Sequence, residues 1–410
     1  MNPIESPPLH RDVLVVGAGP VGLTAALALC AKGYAVTLIE AEPEGRERSG
    51  SRAIFIHKET LKLLEQIQPG LGMQVASQGL VWPTKRTYWR NRQVFVRHYP
   101  TPKPNALPPF SSLPQVKIEQ MLLDACKKAG VEFAWNTPVS KVKTTPDEVT
   151  VTTESVQDWT AQYVIGADGS RSTVRHALDI PMEGSRSKNS YIVVDVAEDE
   201  EHPLPLERVF YYDHPGVGRD VLFVPFVGGW RVDLQCREDD NLDAYSGIEG
   251  VRQWLPKVMD AKYVDRITWV STYQFLQVVA RNFTDTNGRV LLVGEAAHLF
   301  APFGARGMNS GIADAVAATN AIDTALSATD AKVAQEAIEE FARIRRSAAE
   351  YNRDAAKQAL AHVQKRSPIM QVKRNIAALI APYWERAGVW LDSGPYGPRS
   401  GPTGQSAGKY

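Results

Sequence analysis

Apolar positions come in two periods along this chain. Residues 12–16 (Asp-Val-Leu-Val-Val) and Val36 to Glu40 are short apolar runs of the kind that form strands buried on both faces. Between them, Val21 to Lys32 is an alanine-rich apolar helix that ends at Gly33. Further helices are expected at Thr60–Gln66 and at Val116–Ala129, where Leu122, Leu123 and Cys126 share a face. Residues 81–99 alternate as strands do, and short strands over 131–165 end in Tyr163-Val164-Ile165. From 187 to 280 the pattern is alternating and β-branched, which predicts an antiparallel sheet; Arg289 to Val293 returns to the buried-strand pattern. Gly311 to about Lys365 is alanine-rich, charged and helical, and Asp392 to Tyr410 is rich in Gly, Pro and Ser, as a tail or wrapping loop is.

The buried-strand runs deliver glycine motifs. Gly17-Ala18-Gly19-Pro20-Val21-Gly22 follows the first run, Gly166-Ala167-Asp168-Gly169 follows Ile165, and Gly294-Glu295-Ala296-Ala297-His298 follows Val293. In the first, Gly17 permits the turn, Gly19 lets backbone approach a pyrophosphate, and Gly22 packs helix on strand, so a dinucleotide sits on the helix N-terminus. Glu40, followed by Ala41, ends the second strand where a carboxylate accepts from a ribose 2′-OH, which favours FAD or NAD over NADP. No second fingerprint of this kind follows residue 100.

Taken together, the motifs resemble those of the group A flavoprotein aromatic hydroxylases, the family of p-hydroxybenzoate hydroxylase, over most of residues 10–320. The resemblance implies an α/β chain with a Rossmann-like FAD domain, an inserted, mostly antiparallel substrate sheet and a C-terminal helical region. The expected boundaries are 10–80, 113–182 and 281–325 for FAD, 81–112 and 183–280 for substrate, 326–391 helical, and 392–410 tail. It further implies that Asp168 contacts FAD, that the acid of the third motif binds the ribityl chain, and that Pro302 and the loop to Asn309 lie along the flavin ring. There, backbone N–H groups of Gly307, Met308 and Asn309 would stabilise negative charge on the flavin. Arg52 resembles the family's arginine beside the mobile ring, and Gln115 its flavin-contacting glutamine. The chain departs from the family at Glu295, where the pattern has Asp, and at Ala301 and Ala305, which replace Pro and Gly.

The implied activity is hydroxylation of a phenolic, N-heteroaromatic or polyketide-like small molecule through a C4a-hydroperoxyflavin, with O₂ as co-substrate and NADH or NADPH bound transiently. Alternatives are a reductase or dehydrogenase of the geranylgeranyl reductase type, and a non-catalytic FAD- or ligand-binding protein. No side chain stands out as catalytic base; Arg52 and Pro302 are flavin-positioning candidates, and Tyr211, Tyr212, Phe223, Pro225 and Arg231 are candidates to line the substrate sheet. Arg171 and Arg175 either meet phosphates or cap the helix behind Asp168, and His298 supports its loop. Larger relatives carry a thioredoxin-like C-terminal domain, for which no room is expected here.

Composition narrows the picture little. The 46 basic and 46 acidic residues of this 410-residue chain cancel, arguing against nucleic acid or an anionic membrane as the main partner. No leader and no membrane span is expected, so the reading is a cytoplasmic monomer or homodimer without integral membrane association. Cys30, Cys126 and Cys236 are far apart and read as free thiols, and no metal site is expected.

Overall fold

The computed structural model describes residues 8–154, 157–364 and 368–398. The chain opens with β1 (Leu9–Val16), α1 (Pro20–Ala31) and β2 (Val36–Ile39), then β3 (Phe55–His57), α2 (Lys58–Ile67) and α3 (Leu71–Ser77). The hairpin β4 (Thr84–Trp89) and β5 (Arg92–His98) precedes β6 (Phe110–Ser112) and α4 (Gln115–Ala129). Next come β7 (Glu132–Ala134), β8 (Val139–Thr144), β9 (Val149–Thr153), β10 (Trp159–Gly166) and the short α5 (Thr173–Ala177). The inserted segment holds β11 (Met182–Ala197), β12 (Glu207–His214), β13 (Arg219–Phe226), β14 (Gly229–Gln235), α6 (Gly247–Trp254) and β15 (Ile267–Ala280). The chain then runs through β16 (Val290–Leu292), β17 (His298–Leu299), α7 (Arg306–Ser327), α8 (Ala331–Val363), α9 (Pro368–Ile380) and α10 (Glu385–Ser393).

The first sheet has the order β7-β2-β1-β10-β9-β8, with β16 also on β10. Strands β7, β2, β1, β10 and β16 run parallel, whereas β9 and β8 attach as an antiparallel edge. β1 needs its continuous apolar run because α1, α4 and α7 cover the sheet; Val13, Leu14 and Val15 are wholly buried. The chain leaves β1 through α1 toward β2 on one side, while β10 and β16 lie on the other. The C-terminal ends of β1 and β10 therefore flank the point where strand order reverses, the usual crevice for a ligand in such sheets.

The second sheet has the order β17-β15-β11-β14-β13-β12-β4-β5. Its pairings are antiparallel except for β12 on β4, which run parallel. One face carries Ile192, Val194, Val221, Phe223, Val232 and Leu234 and is closed by α6 and the turns around Leu255 and Tyr263. The other face carries Tyr191, Phe210 and Tyr212 and packs on α8, α9 and α10 through Leu360, Ala377 and Leu391. Residues 84–98, where alternation predicted strands, form the hairpin β4–β5, which pairs with β12 in this sheet.

The segment after Asp392 is better defined than a tail up to residue 398. α10 runs on to Ser393, Asp392 is buried against Lys85 at 2.7 Å, and the Tyr396 and Pro398 carbonyls accept from Arg306. Residues 399–410 of the expected tail lie outside the described residues. No disulfide joins Cys30, Cys126 or Cys236, and burial pushes the Cys126 and Cys236 thiols up to about 12, which leaves them unreactive. Among the described residues no helix is long and apolar enough to cross a membrane, and no group of three or more His, Cys, Asp or Glu side chains is placed to hold a metal.

Candidate cofactor crevice

The glycine motifs end adjacent parallel strands. Val16 stands opposite Gly166, and Gly166 opposite Leu292. The Ala167 amide donates to the Val16 carbonyl at 2.8 Å, and the Val293 amide to Gly166 at 3.0 Å. Segments separated by well over a hundred residues thus open onto one crevice. The glycines are required by this crowding: a Cβ on Gly22 would sit 1.8 Å from the Gly17 oxygen, and one on Gly311 would sit 2.6 Å from Val21 Cγ2. Gly19 and Gly307 differ, with open space where a Cβ would stand, so backbone is bared to the crevice at both.

Pro20, Val21 and Gly22 form the first turn of α1, whose N-cap Gly19 has no side-chain cap, and α7 likewise begins at Ala305 without one. The first-turn amides of both helices are thereby left for a ligand. Within α7 these belong to Arg306, Gly307 and Met308; Asn309 lies one residue deeper. The Asn309 side chain is a clasp instead: Oδ1 accepts from the His57 amide (3.0 Å) and Thr60 Oγ1 (2.6 Å), and Nδ2 donates to the Phe55 and Ala305 carbonyls. Pro302 is exposed at the start of this loop, which Gly304 and Ala305 turn with φ of 79° and 52°.

Glu40 is buried at the end of β2. Its carboxylate accepts the Ala18 amide at 2.6 Å and the Glu42 amide at 3.0 Å, and pairs with Arg46 at 2.8 Å. Burial pushes its pKa up, but Arg46 and the amides outweigh it and hold the carboxyl below the usual range. Ala41 beside it is exposed. Asp168 accepts the Val174 amide on Oδ2 at 3.0 Å, while its buried Oδ1 has no partner. Burial raises its pKa above the usual carboxylate range. Behind it Ser172 caps α5 by accepting the Arg175 amide. The buried Arg175 donates to the Ala296 carbonyl at 3.1 Å, tying the second motif to the third, and Arg171 is exposed.

Glu295 is the residue of the 294–298 turn that solvent reaches, yet surrounding protein crowds it enough to raise its pKa; His298, Arg52 and Arg48 pull the other way. Beneath it, the buried Asp314 accepts from the Gly294 amide (3.1 Å), His298 Nε2 (2.7 Å) and Arg345 Nε (2.6 Å). His298 therefore supports the turn. Arg52 is held in the left-handed region at φ 52°, uncommon for a side-chain-bearing residue. Its loop is strapped to the second sheet: Asp195 accepts the Ser51 amide (2.6 Å) and hydroxyl (2.8 Å), and Arg231 Nη1 donates to the Arg52 carbonyl at 2.5 Å. Gln115 closes the strap: its Oε1 accepts from the Ala53 amide at 3.4 Å and its backbone N–H donates to the Ser51 carbonyl at 3.1 Å.

The sheet-lining expectation divides. Arg231 and Tyr212 lie on the face turned to α8–α10 and the Arg52 loop. Tyr211 and Phe223 do not: strand register places both on the opposite face, in the core under α6, and Pro225 pairs with Trp230 on that same side. The inner face instead presents Tyr191, whose ring meets Phe275 at 4.9 Å and Phe303 of the third-motif loop at 5.6 Å, with Leu222 beside them. The Tyr191 hydroxyl is buried without a partner. The sequence held no sign of Asp195, Ser51, Asp314 or Arg345, whose partners are distant in the chain.

These features suit FAD: bared backbone at Gly19 and Gly307, two uncapped helix starts, a buried ribose-height carboxylate and an unpartnered Asp168 oxygen. A family model described as FAD binding domain matches residues 10–354. The chain is 29% identical over 317 residues to 6-methylpretetramide 4-monooxygenase of Streptomyces rimosus, covering 74% of this chain and 54% of that protein. It is also 29% identical over 317 residues to 3-(3-hydroxy-phenyl)propionate/3-hydroxycinnamic acid hydroxylase of Mycolicibacterium smegmatis, covering 74% and 53%. It thus spans about half the length of these curated relatives. The solved structure of the flavin-dependent monooxygenase PieE with FAD and substrate superposes with a TM-score of 0.75 at 20% identity, over 95% of this chain and 73% of that one. At that identity the likeness concerns the fold.

Proposed function

The chain belongs to the FAD-binding domain family, and from that premise we propose that it is an NAD(P)H-consuming monooxygenase that hydroxylates an aromatic or polyketide-like small molecule. The observation that carries this reading is the convergence of the three glycine turns on one crevice, with Phe303 of the third-motif loop set against Tyr191 and Phe275 of the second sheet.

In this reading the Gly17–Gly22 turn and the start of α1 hold the pyrophosphate, Glu40 the ribose, and Asp168 and Glu295 the ribityl side. Bound FAD supplies the redox chemistry, taking reducing equivalents from NAD(P)H and activating O₂. The amides of Gly307 and Met308 stand ready to stabilise negative charge at the ring. Arg52, strapped through Ser51 and Arg231, keeps a cation beside Glu295. Tyr191, Phe275 and Phe303 exclude water and offer an apolar, aromatic wall to a flat substrate.

The test is anaerobic reduction of the FAD-loaded protein by NADH and NADPH across phenols, N-heteroaromatics and polycyclic polyketides, then turnover under ¹⁸O₂. A compound that accelerates flavin bleaching and gains one ¹⁸O atom supports the reading. Reduction indifferent to every aromatic, with no oxygenated product, overturns it in favour of a reductase or a ligand-binding protein.

A further inference from the structure

A line of large apolar side chains is left facing solvent at the C-terminal end of the described chain. Ile369, Val372, Ile376 and Leu379 recur at helical spacing on α9, with Ile369 69% and Leu379 64% exposed. At the corner into α10 stand Tyr383, 90% exposed, and Trp384, 54%, followed on α10 by the exposed Val389 and Trp390. Other exposed apolar side chains, such as Leu9, Leu206, Val227 and Val333, are scattered. The opposite side of α9 is fully used: Arg374, Ala377 and Ala378 pack inward, where Arg374 lies over the Tyr212 and Trp89 rings.

The charge on this surface is lopsided. Lys373 and Arg386 are exposed on the helices, and the exposed Arg92 reaches the Leu379 carbonyl from the tip of the β4–β5 hairpin; the exposed acid there is Glu385. The balance of the whole chain conceals this local excess of cation. A second copy seated by a two-fold axis would press the cation-rich face against itself. An anionic bilayer complements it: aliphatic side chains enter the acyl boundary, Tyr and Trp sit at headgroup depth, and Lys and Arg meet lipid phosphates. At 13 residues, α9 is too short to span a bilayer and long enough to lie on one.

We propose that the α9–α10 surface docks this protein peripherally on anionic phospholipid bilayers. The inner side of the same helices covers the aromatic sheet face, so docking sets lipid beside the compartment proposed for the substrate; that consequence rests on the proposed reaction, whereas the docking does not.

The experiment is flotation of the FAD-loaded full chain with vesicles of phosphatidylcholine alone and with about 30% phosphatidylserine. Wild type floats with the anionic vesicles and far less with the neutral ones. Lys373→Gln with Arg386→Gln lowers anionic binding about twenty-fivefold, at about fivefold per cation. Ile376→Ser with Leu379→Ser lowers it at least tenfold. Flavin content and thermal midpoint stay at wild-type values in both, since these side chains point outward. Failure of the wild type to float with either vesicle overturns the proposal. So does flotation that neither double variant weakens. A vesicle-free dimer in sedimentation velocity that Ile376→Ser with Leu379→Ser turns into monomer assigns the surface to a second copy, and equally overturns it.

Discussion

Replacing Asp314 with Asn tests whether the buried cluster beneath the third glycine turn holds the crevice together. Asp314 is 0% exposed, Arg345 2% and His298 1%, so the carboxylate balances a guanidinium that has almost no water. Burial pushes the Asp314 pKa up, but Arg345 and His298 more than offset this and hold it below the usual range, so it is charged. Asn keeps the shape, removes the charge and sets an NH₂ group among donors from Gly294, His298 and Arg345. Breaking a buried pair from one side costs about 3–5 kcal/mol. With the usual unfolding entropy per residue over 410 residues, that is a midpoint shift of roughly 4–6 °C. Asn has one acceptor oxygen where Asp314 has two, so either Arg345 or the Gly294–His298 pair of donors loses its acceptor, the turn loosens, and FAD affinity should fall at least tenfold. Differential scanning fluorimetry and flavin titration read the two effects separately. The variant Asp314→Leu with Arg345→Met removes both charges and should be more stable than Asp314→Asn. An Asp314→Asn protein that melts within 1 °C of wild type and keeps its flavin would refute the reasoning.

The two kinds of glycine in the first motif should part company. Gly22→Ala drives a Cβ to within 1.8 Å of the Gly17 oxygen and should lower both the apoprotein midpoint and FAD affinity. Gly19→Ala meets no protein atom within 4 Å, so the apoprotein should melt as wild type while FAD binding weakens tenfold or more; calorimetric titration decides. A pH dependence follows from His362, buried 3.0 Å from the Tyr212 hydroxyl. Burial, aided by Arg374, lowers its pKa from 6.5 to about 4. The unfolded chain therefore takes the proton first, so stability is full above pH 6.5 and falls as pH drops toward 4, by roughly 3 kcal/mol in all. His362→Gln should flatten that part of the melting-temperature profile relative to wild type; His214, also lowered to about 4 by burial, leaves a common background.

What the sequence disclosed and what it withheld differ in kind. The glycine turns were legible because their requirement is local: Gly17 at φ 104° and Gly294 at φ 60° answer to their own backbone, and strand and helix flank them in the chain. The strap and the cluster were not, since Ser51 meets Asp195 across 144 residues and Arg345 meets Asp314 across 31, with no pattern linking the partners. Which face of the second sheet each of its residues occupies was not legible for another reason. Along β12 and β13 both parities are apolar or aromatic, Tyr211 and Phe223 on one and Phe210 and Leu222 on the other. Alternation says which residues share a face, but contrast with a polar face is needed to say which one looks outward. Here that contrast is missing because the second sheet is covered twice, by α6 on one side and by α8, α9 and α10 on the other. On β14, Arg231 and Asp233 do break the pattern against Trp230 and Val232, and there the polar parity faces the Arg52 loop. A charged side chain in a doubly covered sheet must find partners, and Arg231 finds two: Asp233 on its own strand at 2.6 Å and the Arg52 carbonyl beside the crevice.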